Sequence, residues 1–444
     1  MRSSAILRES EGPTPQRSAE MQTLPAAQSN ILFHGTFALL LFGPLAFGAV
    51  EPWAIFILEA GAAALFALWA WQHLHAENST IQNSAVFQPM LAFAGLTVLQ
   101  LVLGTSAYWA ATLSSALLYC AYGMLCFLAV QSVRKTADIV RLGKVFTAYG
   151  AAMAVFAAIQ GLTSNGKLYW LRAPRMGGWI YGPYVSHNNY AGLMEMLLPI
   201  PLVLCISRRV EDGAKGILAF AAMIMAGTVF LSGSRGGMIA VSVQIILLAA
   251  YIHTRRRSSR MALALGGFVV LAAALVLWLG GSSVADRLAS IHTEARTELA
   301  GGIRTNIVRD CLHMFMQRPI LGWGLGTFST VYPQFRSFFT NMFVNEAHND
   351  YAQLLVEMGL PGFAIMIWFL YLLLRRGMAK LKEGMLGVNG SLTLAGLLAC
   401  SGILVHSWVD FNLQVPANAA LFYVIATLTS AEPVRDHGKP RIIS

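Results

Sequence analysis

Charge is scarce in this chain: only 12% of its 444 residues are Asp, Glu, Lys or Arg, about half the share of an average soluble domain. That scarcity excludes an ordinary water-soluble globule. Cysteine is sparse too. The five residues at 120, 126, 205, 311 and 400 are scattered, and all but Cys311 lie in apolar runs, so neither a disulfide framework nor a metal-ligand spacing is offered. Residues 1–30 lack an apolar stretch and mix Ser, Pro and Gln with both charge signs. This excludes a cleavable export signal and reads as a disordered cytoplasmic tail. No internal repeat is visible.

What the chain has is hydrophobicity, 56% of its residues. Apolar stretches of spanning length run at 31–49, 53–72, 87–104, 111–131, 145–163, 189–207, 216–232, 236–253, 261–281, 351–374, 391–408 and 416–430. The expectation is an all-α polytopic membrane protein of twelve transmembrane helices. Its parts would be a tail at 1–30, nine spans over 31–281, a helical loop domain at 282–350, three spans over 351–430 and a second tail at 431–444. The connection at 282–350 alternates charged and apolar residues, which predicts short amphipathic helices.

Basic residues orient the chain. With the N-terminus inside, 21 of the 31 Lys and Arg fall in the inward segments and the other ten lie outside, none within a span. The outward ten are confined to three places: 164–187, the turn at 232–235, and the long loop. Arg235, in SGSRGG (232–237), has two readings. It either reaches lipid headgroups or, with glycines that let backbone N–H groups approach at a helix start, captures an anion through its bidentate guanidinium.

Three further segments invite chemistry. In 172–192, Arg172 and Arg175 precede Gly/Tyr/Trp-rich backbone with no acid beside them; the stretch is either an interfacial aromatic loop or a net positive surface. His187, Asn188 and Asn189 there are expected to cap the sixth span. In 301–328, Ile303, Ile307, Cys311 and Met314 repeat at helical spacing before Pro319, predicting an amphipathic surface helix whose Arg304 and Arg309 are either solvated or turned toward a site. The glycines at 322, 324 and 326 then form a tight loop. In 348–362, His348 heads the tenth span as either a cap or a base, with Glu346 and Asp350 near enough in sequence to orient an imidazole. His406 and Asp410 stand one helical turn apart at the end of the eleventh span, at a depth where ionisable groups usually face a cavity.

Taken in order, these segments resemble the O-antigen ligase/polymerase family of bacterial envelope glycosyltransferases. His348–Asn349, nine residues, then Gly359–Leu360–Pro361–Gly362 fits that family's His motif; the Ser-Arg-Gly turn at 234–236 and the spacing from Arg304 to Pro319 also match its order. Val308 stands where the family usually has an aromatic residue. The resemblance implies a GT-C-like enzyme working at the periplasmic face of the inner membrane, with a glycan on undecaprenyl pyrophosphate as donor. His348, Arg235 and Arg304 would be catalytic, and Arg172, Arg175, Arg309, Asn349, His406 and Asp410 would contact substrate. No metal, cofactor, nucleotide sugar or nucleic acid enters the expectation. The acceptor stays open between a lipid A core sugar, a growing glycan and a protein hydroxyl, and a non-enzymatic lipid-glycan transporter is the rival reading.

Overall fold

The computed structural model describes residues 26–75, 80–174, 179–207, 210–254, 266–267, 302–340, 343–383 and 388–432. Its body is built from α1 (Ala26–Leu45), α2 (Pro52–Leu74), α3 (Phe87–Val102), α4 (Trp109–Ser132), α5 (Thr136–Leu162), α6 (His187–Leu197), α7 (Pro199–Cys205), α8 (Asp212–Ser232) and α9 (Arg235–Thr254). After the long connection come α10 (Ile303–Gln317), α11 (Phe328–Val331), α12 (Asp350–Glu383), α13 (Val388–His406) and α14 (Pro416–Ser430). The described chain is thus all-α. Seven of its helices are long and apolar enough to cross a membrane, namely α2, α4, α5, α8, α9, α12 and α13; Asn30–Leu45 and Phe87–Val102 are apolar but shorter. Among the described residues, seven of the twelve expected spans are thus present as helices of full spanning length. The expected ninth span, 261–281, lies outside the described residues apart from 266–267. In the expected sixth, Pro199 and Pro201 remove two backbone donors between α6 and α7, while Leu198 keeps right-handed helical angles (φ −51°, ψ −43°) and its N–H donates to Met194 O at 2.8 Å, so the two pieces run on.

Helix α6 is the centre of the body. Every residue from Asn189 to Leu197 is buried, which is why its sequence is apolar around its whole circumference except for Asn189 and Glu195. Packing in lipid draws little on hydrophobicity and more on close approach and interhelical hydrogen bonds. Gln244 supplies the latter, its Nε2 donating to Glu195 O at 2.8 Å and Leu398 O at 3.0 Å, so that α9 is tied to α6 and α13.

The segment between α9 and α12 has its own small core of Ile307, Cys311, Met314, Phe328, Val331, Tyr332 and Ala347, shared with Val356 of α12. Helix α10 buries Ile307, Cys311 and Met314 as the spacing predicts, but Ile303 is exposed. The buried face includes Asp310 instead, whose carboxylate accepts from Tyr332 Oη at 3.0 Å and Ser337 N–H at 3.1 Å.

The segment docks on a bend in α12. Gly359 sits at φ +63°, ψ −165°, a region essentially closed to residues with a Cβ, and a methyl group there would fall 2.3 Å from Ile320 O. Leu360 N–H donates to Pro319 O at 2.9 Å across the bend. Beside it, the Glu357 carboxylate accepts from Gly326 N–H at 2.9 Å and Phe328 N–H at 3.1 Å. The glycine loop 322–326 and the Gly-Leu-Pro-Gly stretch are thus two halves of one joint.

Candidate functional site

His348 sits on the last residues before α12, with φ at +51°. A non-glycine residue held there stores about 1–3 kcal/mol of backbone strain, which the surrounding contacts must hold. Those contacts come from both sides. Asp350 N–H donates to Ser407 O at 3.0 Å, and Asn349 Nδ2 donates to Trp408 O at 3.0 Å. Asn349 Oδ1 accepts from Ala352 N–H at 2.9 Å, capping α12. Asn349 is therefore the brace that positions His348.

The imidazole faces Asp410. His348 Nδ1 lies 3.7 Å from Asp410 Oδ1, with the histidine side chain 32% exposed and the carboxylate 2% exposed. One group is reachable and the other is not. Neither sequence neighbour serves as the carboxylate partner: Asp350 accepts from Leu413 N–H at 3.1 Å and Gln414 Nε2 at 3.2 Å, while Glu346 accepts from Gln353 Nε2 at 2.5 Å. The expected pairing of His348 with Glu346 or Asp350 is thus replaced by a pairing with Asp410. Phe411 closes the other side of the ring, edge to face at 4.9 Å.

Asp410 itself lies in the turn after α13, and its N–H donates back to His406 O at 3.1 Å. Asn188 Nδ2 donates to its Oδ2. That contact overturns part of the expected cap on α6: the N-cap position is Ser186, no side chain caps it, and Asn188 reaches across to the carboxylate instead. Burial works to raise the Asp410 carboxyl, but contact with His348 and the positive charges of His406 and Arg304 outweigh it and hold the group at about 2. Glu346, by contrast, has burial as its largest influence and is pushed up to about 8.

Arg304 meets the same turn from α10, its Nη1 donating to Val409 O at 2.9 Å. Arg235 enters from the third side as the first residue of α9. Gly233 closes α8 in the left-handed region at φ +74°, and Ser234 Oγ accepts from Gly237 N–H at 3.2 Å as the N-cap of α9. One of the amides that an anion would need is therefore already taken. Gly236 lies flat against His406, where a methyl group would come within 2.4 Å of Cδ2 and 3.0 Å of Val409 Cγ2. Three segments distant in sequence therefore converge on residues 406–411.

His406 is buried to 1%, and its Nδ1 is 2.8 Å from Oε1 of Glu195, which is fully buried on α6. Glu195 was not among the candidates drawn from the sequence. Its signal was a lone carboxylate inside an apolar run, SHNNYAGLMEMLLPI, which is informative in a membrane segment.

The remaining candidates separate. Arg172 has the carboxylate its own loop lacks: Nη2 is 2.6 Å from Glu51 Oε1, and the guanidinium stacks on Phe47 at 5.0 Å. The expectation of an unpaired Arg172 is corrected accordingly. Arg175 lies outside the described residues. Arg309 is exposed on α10, beside the buried Asp310. Arg304 is thus bonded to the turn, whereas Arg172 is committed to Glu51.

Two comparisons with known proteins bear on this geometry. Residues 220–367 match the family model described as O-antigen ligase, a stretch that takes in Arg235, Arg304, His348 and the bend at Gly359. No curated protein matches the chain.

Proposed function

With residues 220–367 carrying the O-antigen ligase signature, we propose that this protein transfers a glycan from undecaprenyl pyrophosphate to an acceptor hydroxyl at the outer face of the bacterial inner membrane. The observation that carries the reading is the reachable imidazole of His348 set against the buried carboxylate of Asp410, with Arg304 bonded to the adjoining carbonyl.

The chemistry follows from charge. His348 accepts the proton of the acceptor hydroxyl as its oxygen bonds to the anomeric carbon, and the bond from that carbon to the pyrophosphate oxygen breaks with inversion. Asp410 stabilises the imidazolium that forms and holds the ring in place. The leaving pyrophosphate gains negative charge as the bond breaks. Arg304 and Arg235 supply guanidinium donors to it, and such charge-assisted hydrogen bonds strengthen in the transition state. Arg309 is exposed on the same helix as Arg304 and serves the headgroup or glycan further out. In this reading Arg172 is a strut for the outer loop, since its charge is already matched by Glu51.

The acceptor class is read as lipid A core first, with a growing glycan or a protein hydroxyl as members of the same chemistry. The test uses purified protein, an undecaprenyl-pyrophosphate-linked glycan and lipid A core as acceptor. Release of undecaprenyl pyrophosphate that depends on His348 supports transfer. Movement of the intact lipid-linked glycan across a vesicle, with no release, identifies a transporter and overturns the reading.

A further inference from the structure

The helices that hold the candidate site at one end enclose a cavity of about 310 Å³ at the other. Helix α12 runs from Asp350, beside His348, to Lys380 in the cavity wall, and thirty residues at 1.5 Å each separate them by about 45 Å along the helix. Helix α13 runs back from Asn389 in the cavity to His406. The deep lining is apolar: Phe146 of α5, Met196 of α6, Ala399 of α13 and Ile425 of α14 are each exposed by 6% or less. From Asn389 to Ala399 the cavity follows α13 for ten residues, about 15 Å, or half of a hydrocarbon core about 30 Å thick. It is as deep as one leaflet of a bilayer.

Such a lining offers mainly dispersion contacts, so its complement is a hydrocarbon chain. The rim differs. Lys380 Nζ donates to Leu428 O at 3.1 Å in the last turn of α14. That contact turns the lysine inward and uses one of its three ammonium hydrogens, leaving two. The other charged group of the lining is Glu432, which is exposed and whose N–H donates to Asn83 O at 3.3 Å. No ion pair joins Lys380 to Glu432 among the described residues. Arg134, next to the lining Val133, is committed to backbone, with Nε donating to Gln131 O at 2.8 Å and Nη2 to Thr80 O at 3.1 Å. The rim therefore presents one cation and one carboxylate. A phosphate is drawn to the first and repelled by the second, an ammonium the reverse, and a head bearing both matches the pair.

We propose that this cavity binds a membrane phospholipid whose head carries a phosphate and a primary ammonium, with one acyl chain lying between α5, α13 and α14. Lys380 holds the phosphate and Glu432 the ammonium. The chain fills the apolar volume and ties these helices together from the end opposite the candidate site. An anionic lipid without the ammonium meets Glu432 as a like charge and is the poorer ligand. This binding is separate from glycan transfer, and none of its residues belongs to the candidate site.

The test is made on full-length protein in nanodiscs of equimolar phosphatidylethanolamine and phosphatidylglycerol, released into mild detergent and weighed by native mass spectrometry. Phosphatidylethanolamine is expected to be retained in preference to phosphatidylglycerol. Lys380→Gln should lower that retention about ten-fold, the loss of one charged hydrogen bond. Glu432→Gln should keep a lipid bound but erase the preference. Gly143→Leu should exclude both lipids by filling the cavity, since a Cβ at this lining position meets only Leu392 at 3.4 Å and Leu204 at 3.6 Å, ordinary contact distances. Phosphatidylglycerol held as well as phosphatidylethanolamine by the unsubstituted protein overturns the proposal, whether or not any variant folds. So does retention that neither Lys380→Gln nor Gly143→Leu changes. Glycerophosphoethanolamine, the same head without chains, should not displace the lipid; displacement would assign the rim to a soluble zwitterion and overturn the lipid site.

Discussion

Two arginines, Arg172 and Arg304, look alike in sequence and are used differently. Arg172 is neutralised by Glu51 and laid over Phe47, so its charge is consumed in fixing one loop to the start of α2. Arg304 gives one nitrogen to a backbone carbonyl, beside a carboxylate already held by Asn188 and His348. Arg318 falls with Arg172: it donates to Thr105 O at 2.9 Å and lies over Trp323 at 4.1 Å. An arginine between apolar spans is thus no sign of a phosphate site until its local partners are known.

Several substitutions break or sharpen this contrast. The largest effect is expected from His348→Ala, which should lower transfer about 10²–10⁴-fold in a purified assay. Arg304→Gln should follow, with kcat down about 10²–10³-fold if its guanidinium faces the developing charge. The same change at Arg318 should leave the rate within a few-fold of the parent. Gly359→Ala tests the joint that presents His348: thermal unfolding in detergent should show a loss of about 1–3 kcal/mol, because the alanine methyl would meet Ile320 O.

Glu346→Gln addresses pH. The folded protein keeps the Glu346 proton to about pH 8 while an unfolded glutamate releases it near pH 4.5, so between these values the folded state binds more protons. Stability should therefore decline as pH rises through that window, and the glutamine variant should flatten the decline in a series of melting curves. The smallest effect is expected from Arg172→Gln, about 0.2–1 kcal/mol with transfer nearly intact. A large loss of transfer there, with normal melting, would return Arg172 to the substrate site.

Much of the helical body was legible from hydropathy, because a helix in lipid must be apolar over a fixed length whatever it packs against. The buried stripe of α10 was legible for a similar reason, since Ile307, Cys311 and Met314 recur at the helical period. Ile303 was misplaced because the stripe continues through Asp310, and no periodicity rule puts a carboxylate in a core before Tyr332 and Ser337 are known to meet it. The glycines at 236 and 359 were visible as a pattern, but the reasons for them, the His406 ring and the Ile320 carbonyl, were not.

Hydrophobicity and spacing act along the chain, so they were enough to set out an all-helical body of membrane type and to single out His348 as a candidate. Which acid faces which base is decided by how the helices pack. Glu346 and Asp350 are the near neighbours of His348 in sequence, yet Glu346 is engaged locally by Gln353 and Asp350 by Leu413 and Gln414, more than sixty residues on. The carboxylate that reaches the imidazole arrives from beyond α13, and the one behind it from α6. Electrostatic pairing depends on distance through space and on burial, and only the folded arrangement of helices specifies either.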